Sequence, residues 1–171
     1  MDSPKKGPGK MNKKVLIVDD EYLVRDLFAA VLEADGYATF VASNGLEGLR
    51  QFYENRPDLV ISDMTMPLME GSEFCRILRT MCDVPIIMIS GAEDADLRMK
   101  MLSPHVDIYL GKPVNLEDLK AAVPKLLQVH SAASYIDCQS PEYVHKIGKP
   151  RNEIEAEHFG LISRAAVEID V

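Results

Sequence analysis

Nowhere does this chain of 171 residues run apolar for the roughly 20 positions that crossing a bilayer takes, which excludes a membrane-spanning helix. Cysteine is scarce. Cys75, Cys82 and Cys138 make an odd number without a CxxC pair, a pattern that suits neither a disulfide framework nor a cysteine-rich zinc site. They read as reduced thiols, with Cys75 a packing residue on a helix. Basic charge is short as well. Nineteen Lys and Arg stand against 27 Asp and Glu, and the net charge of −8 repels nucleic acid, so direct DNA binding is disfavoured. A secretory leader is missing too, because residues 1–14 hold five lysines among Gly and Pro but no apolar segment. These absences describe a soluble protein expected in the cytoplasm.

What is present suffices for one well-buried domain: 47% of the residues are hydrophobic and 27% charged, in a length too short for two domains of ordinary size. Residues 1–12 cannot bury enough apolar surface to offset their ordering entropy and read as a flexible basic arm. Residues 13–128 alternate short β-branched apolar runs with longer amphipathic stretches, and residues 129–171 form a tail. The first run, Val15-Leu16-Ile17-Val18, is continuous in its hydrophobicity, as a strand covered on both faces should be. A helix follows with Leu23, Leu27, Ala30, Val31 and Ala34 at three- and four-residue spacing, closed by Gly36. Tyr37 to Ala42 reads as a second strand, Asn44 as the cap of a second helix, and Leu59-Val60-Ile61 as a third strand ending at Asp63. Ser72 is the expected cap of a third helix with Phe74, Ile77 and Leu78 inward. Ile86 to Ile89, stopping at Ser90, is the fourth strand. A less regular helix over 94–102, a fifth strand over Val106 to Leu110 and a last helix capped by Asn115 complete the series. Strands alternating with helices imply an α/β domain, a doubly wound five-stranded parallel sheet with helices on both faces.

In such sheets, ligands bind outside the carboxyl ends of the strands. The residues there are Asp19 and Asp20, Asp63, Ser90 and Lys112. With the first and third strands adjacent, about 4.8 Å apart, three carboxylates converge, and their repulsion calls for a cation. Mg²⁺ suits them, since it takes oxygen ligands and keeps positions open for water and a phosphoryl oxygen. Lys112 and the Ser90 hydroxyl then meet the remaining phosphoryl oxygens, which leaves Asp63 as a nucleophile forming an acyl phosphate. The plainer alternative for each acid is a solvated turn residue.

The runs VLIVDDE (15–21), DMTMP (63–67), Ser90-Gly91-Ala92 and YLGKP (109–113) together resemble the receiver domains of two-component response regulators, over about residues 13–128. The resemblance implies a flavodoxin-like sheet of strand order 2-1-3-4-5. It implies Asp63 as phosphoacceptor, with Asp20, Asp63 and the backbone carbonyl of Thr65 around Mg²⁺ and Asp19 acting through water. Lys112 would pair with the phosphoryl group, Ser90 would move to hydrogen-bond it, and Tyr109 would rotate inward. The phosphoryl donor would be a histidine kinase or phosphotransfer protein. The changed face, built from the fourth helix, fifth strand and fifth helix, would meet a downstream protein partner or a second copy in a homodimer. Two other functions share the fold: an interaction module that works without phosphorylation, and a phosphatase of the haloacid-dehalogenase type. The phosphatase needs an acid two residues after its nucleophile, where this chain has Thr65.

The chain departs from the pattern in places. Pro104-His105-Val106 replaces a small pair before the fifth strand, and Pro124 falls inside the last helix, where it removes a backbone bond. In the tail, Asn152 and Glu155 mark the start of a candidate amphipathic helix over 152–169, with Ile154, Leu161, Ile162, Ala165 and Ile169 on one face. It reads as a docking or dimerisation helix, a loosely ordered tail or the opening of an output domain. The run HKIGK at 145–149 has a lysine where an HD phosphohydrolase would hold its metal-binding aspartate, and is discounted.

Overall fold

Val15 to Val18 has no polar side chain to offer water, and a computed structural model, which describes residues 13–91 and 105–132, covers this strand on both faces. The elements run β1 (Lys14–Val18), α1 (Tyr22–Ala34), β2 (Ala38–Ala42), α2 (Gly45–Asn55), β3 (Leu59–Asp63), α3 (Gly71–Met81), β4 (Ile86–Ser90), β5 (Ile108–Gly111) and α4 (Leu116–Ala132). The helix expected over 94–102, the basic arm and the tail helix lie outside the described residues. The helix at 116–132, fifth in the sequence reading, is therefore α4.

All five strands are parallel, in the order β2-β1-β3-β4-β5. The doubly wound sheet and its strand order are as expected. Period-two alternation divides each strand between two cores. Leu16, Val18, Val60, Ile86 and Met88 pack with Leu49 and Phe52 of α2 and Phe74 and Leu78 of α3. Val15, Ile17, Leu59, Ile61, Ile87 and Ile89 pack with Phe28 and Leu32 of α1 and Leu119, Val123 and Leu126 of α4. Among the described residues, two helices thus cover each face. Cys75 and Cys82 are buried in the first core, where burial pushes the Cys75 thiol up to about 12, so it serves packing and not chemistry.

The ends of the elements show which local signals held. Asn44 caps α2 by accepting the Glu47 amide at 2.9 Å, and Asn115 accepts the Glu117 amide at 2.9 Å. At the close of α1, Gly36 takes a φ of 91° while its amide and that of Tyr37 donate to Glu33 and Leu32. That bond occupies Tyr37, so β2 opens at Ala38 and not one residue earlier. Ser72 is not the cap of α3: the N-cap is Glu70, and Gly71 already donates to the Met64 carbonyl at 2.9 Å. β5 opens at Ile108 and not at Val106, because the Asp107 carboxylate takes the Ile86 amide at 2.7 Å and also pairs with Arg79 at 2.7 Å. α4 runs through Pro124 and reaches Ala132, past the expected end near 128.

The face of α1 differs most from expectation. Phe28 and Leu32 are the buried residues, with Val24 and Ala29 packed beside them, whereas Leu23 and Leu27 are 65% and 47% exposed. Helical spacing alone defines a stripe without saying which of two apolar stripes meets the sheet.

Candidate functional site at the carboxyl edge of the sheet

Parallel pairing of β1 with β3, Val18 opposite Ser62, sends both chain exits to the same edge of the sheet. There one carboxylate oxygen from each of Asp19, Asp20 and Asp63 lies within 4.8 Å of the others. Asp19 and Asp63 are buried, at 1% and 3% exposure, while Asp20 faces solvent. β5 delivers the countercharge. Lys112 follows its last residue, its amide donates to the Ser90 carbonyl at 2.8 Å, and its Nζ stands 3.0 Å from Asp63 Oδ2. The Lys112–Pro113 peptide bond is cis.

The two buried carboxylates are each held by a backbone donor. The Glu21 amide donates to Asp19 Oδ1 at 2.8 Å and the Met64 amide to Asp63 Oδ1 at 2.9 Å. The Arg25 guanidinium, one turn into α1, donates to the Asp19 carbonyl and ties that helix to the strand exit. The Ser62 hydroxyl donates to the Asp63 carbonyl at 2.9 Å. Burial nevertheless dominates the protonation of the acids. It raises Asp19 to about 6, the Glu21 amide opposing and the charge of Asp63 adding to it. Asp63 is raised for the same reason, with the Lys112 hydrogen bond and charge pulling the other way. Burial alone would lower Lys112, but Asp63, with Asp19 and Glu21, carries it above the ordinary lysine value.

The site fits a small hard cation. Asp19 Oδ2 is buried with no hydrogen-bond partner, in a position where an unsatisfied anionic oxygen is costly. The donors are all carboxylate oxygens, the set that Mg²⁺ accepts. Asp19, Asp20, Asp63 and Lys112 are thus brought together. Ser90 closes β4 beside them, opposite Gly111 in the register and 3% exposed. Thr65 is exposed in the loop after β3. Tyr109 is half-buried, paired with Met88 across β4 and β5, and packs against the core under α2 and α3.

Two residues at the site carry no role in the sequence reading. Glu21, exposed, brings Oε1 to 3.9 Å from Lys112 Nζ, and its only signal was its place after the paired aspartates. Gly71 has none at all: a Cβ there would fall 1.9 Å from the Asp63 carbonyl oxygen, so only glycine lets α3 start this close to the acid. In the loop between β3 and α3, Leu68 holds a φ of 70° and is 60% exposed.

Comparison with known proteins agrees with this geometry. The family described as response regulator receiver domain matches residues 15–124. The response regulator MprA of Mycobacterium sp. (strain KMS) is 38% identical over 119 residues, 69% of this chain and 52% of that one. A probable transcriptional regulator ycf27 of Guillardia theta is 37% identical over 123 residues, 72% of this chain and 48% of its own. This chain therefore spans about half the length of these relatives. Among solved structures, the receiver domain of the Francisella response regulator 1452 superposes with a TM-score of 0.64 at 30% identity, over 68% of this chain and 98% of that one.

Proposed function

Because the chain belongs to the family of response regulator receiver domains, we propose that it acts as a phosphoryl-accepting switch in a two-component system or phosphorelay, with Asp63 as the acceptor. The observation that carries this reading is the buried Asp63 carboxylate, 3.0 Å from Lys112 Nζ and grouped with Asp19 and Asp20. A carboxylate oxygen of Asp63 attacks the phosphorus of a phosphohistidine on a histidine kinase or phosphotransfer protein. The P–N bond breaks, its electron pair leaves with the imidazole, and an aspartyl phosphate remains. Water later attacks that phosphorus and restores the carboxylate, so the chain is a slowly self-dephosphorylating acceptor and not an enzyme with turnover. Little covalent assistance is needed, and positioning with charge stabilisation does most of the work.

Asp20, Asp63 and the Thr65 backbone carbonyl would hold Mg²⁺, with Asp19 reaching it through water. Bound there, the ion supplies positive charge to the phosphoryl oxygens. Lys112, already paired with Asp63, keeps its ammonium within reach of a phosphoryl oxygen carried there. The Ser90 hydroxyl donates to another such oxygen, and Tyr109 turns toward the space that Ser90 leaves. Because the Ser90 carbonyl also holds the Lys112 amide, a movement at the end of β4 reaches β5 and α4 directly. That face, with the segment between β4 and β5, is the surface a downstream partner or a second copy would read. The added charge biases two states, in the manner of a population shift.

The test is direct. The protein and an Asp63→Asn variant are incubated with Mg²⁺ and acetyl phosphate, and the intact mass is read at once, before the acyl phosphate hydrolyses. We expect one phosphoryl group on the wild type and none on the variant or with EDTA. A folded wild type without a Mg²⁺-dependent adduct overturns the reading in favour of a phosphorylation-independent module.

A further inference from the structure

The carboxylates of Asp19 and Asp63 each accept a backbone amide, but among the described residues the exposed Asp20 carboxylate has no such donor. Its place in the site is therefore set by its own backbone. The peptide that joins Asp19 to Asp20 is planar, so whatever fixes the Asp19 carbonyl also fixes the Asp20 Cα. That carbonyl accepts from the Arg25 guanidinium, while the Arg25 amide donates to the Glu21 carbonyl at 3.1 Å. One residue of α1 thus grips the Asp19-Asp20-Glu21 turn on both sides of Asp20.

Arg25 is half-buried and is not a free surface cation. Its charge also acts on Glu47, in the first turn of α2. There the Ser43 amide and hydroxyl chiefly hold the carboxyl below the ordinary glutamate value, and Arg50 and Arg25 add to them. A charge-assisted hydrogen bond to a carbonyl is one of the stronger kinds, and the planar guanidinium loses little freedom in making it. Toward a cation at the three carboxylates, Arg25 has two effects of opposite sign. As a charge it repels the ion, and as a clamp it places a ligand in advance.

We propose that Arg25 is a positioning residue for Mg²⁺, clamping the Asp19-Asp20-Glu21 turn so that the Asp20 carboxylate stays grouped with those of Asp19 and Asp63. The clamp outweighs the repulsion. This rests on the phosphoacceptor reading of the site and adds a residue that the reading does not use.

Calorimetric titration of Mg²⁺ into the full chain, with no phosphodonor present, tests the proposal on wild type, Arg25→Met and Arg25→Lys. Methionine keeps the apolar stem without charge or donor, whereas lysine keeps both. Arg25→Met should bind Mg²⁺ about tenfold more weakly, and Arg25→Lys should recover most of that loss. Were Arg25 only a charge, the methionine variant would bind more tightly than wild type. Arg25→Gln, a milder replacement, should weaken binding as well, and amide exchange in β1 and β3 shows that each variant is folded. With acetyl phosphate, the Mg²⁺ concentration for half-maximal phosphorylation should rise by the same factor, while the rate at saturating Mg²⁺ stays near wild type. Affinity unchanged or tightened in the methionine and glutamine variants overturns the inference and leaves the phosphoacceptor reading standing. A folded wild type that binds no Mg²⁺ overturns both.

Discussion

Burial lifts the Asp19 carboxyl from 3.8 to about 6, and the neighbouring Asp63 is lifted as well, so the ionised forms are the costly ones in the fold. An acid whose folded value lies above its unfolded one contributes stability that is complete below the unfolded value and is lost as pH rises through the folded one. In EDTA, the unfolding free energy should therefore fall between about pH 4 and pH 7, by about 3 kcal/mol for Asp19. Urea titrations across that window check this, and Asp19→Asn should flatten the slope. A wild type whose stability rises steadily with pH across the window would contradict it. At this scale the sequence was legible where strand exits carried charge: Asp19, Asp20, Asp63 and Lys112 all reach one edge. Gly71 was not legible. Its requirement comes from a carbonyl eight residues away, and no local pattern announces such a contact.

Each helix had to choose a face, and α1 shows how little periodicity decides. Leu32 is fully buried under the sheet and Leu23 is 65% exposed, although both are leucines on apolar stripes of one helix. Leu32→Ala should cost about 3 kcal/mol through lost burial and a cavity, and Leu23→Ala should stay within about 0.5 kcal/mol. Chemical denaturation of the two variants separates them, and equal losses would mean that α1 is seated on its other face. The strands left less choice, since β1, β3 and β4 are buried on both faces and either orientation would cover them. Capping followed chemistry where a side chain had a free amide to accept, as at Asn44 and Asn115. It failed at Ser72, because the close approach of Gly71 to Asp63 brought the start of α3 forward.

Across the whole molecule, the acidic cluster is a place where folding and binding work against each other until a cation arrives. Three carboxylates with a single lysine nearby leave Asp19 Oδ2 without a partner. A cation that binds only the folded chain stabilises it by mass action, about 2.7 kcal/mol at a hundredfold excess over its dissociation constant. The melting temperature should thus climb with Mg²⁺ at pH 8 and far less at pH 5, where protons on Asp19 and Asp63 compete. Scanning calorimetry with and without Mg²⁺ at both values checks it, and an equal shift at both would place the ion elsewhere. The sequence by itself determined the sheet and the strand exits, because an apolar run with an acid at its end has few ways to satisfy both water and core. Only the tertiary structure decided which stripe of α1 is buried, why α3 begins at a glycine, and that Lys112 faces Asp63 at 3.0 Å. Those are distances between residues on different elements, and they depend on how the elements pack and not on the order in which they come.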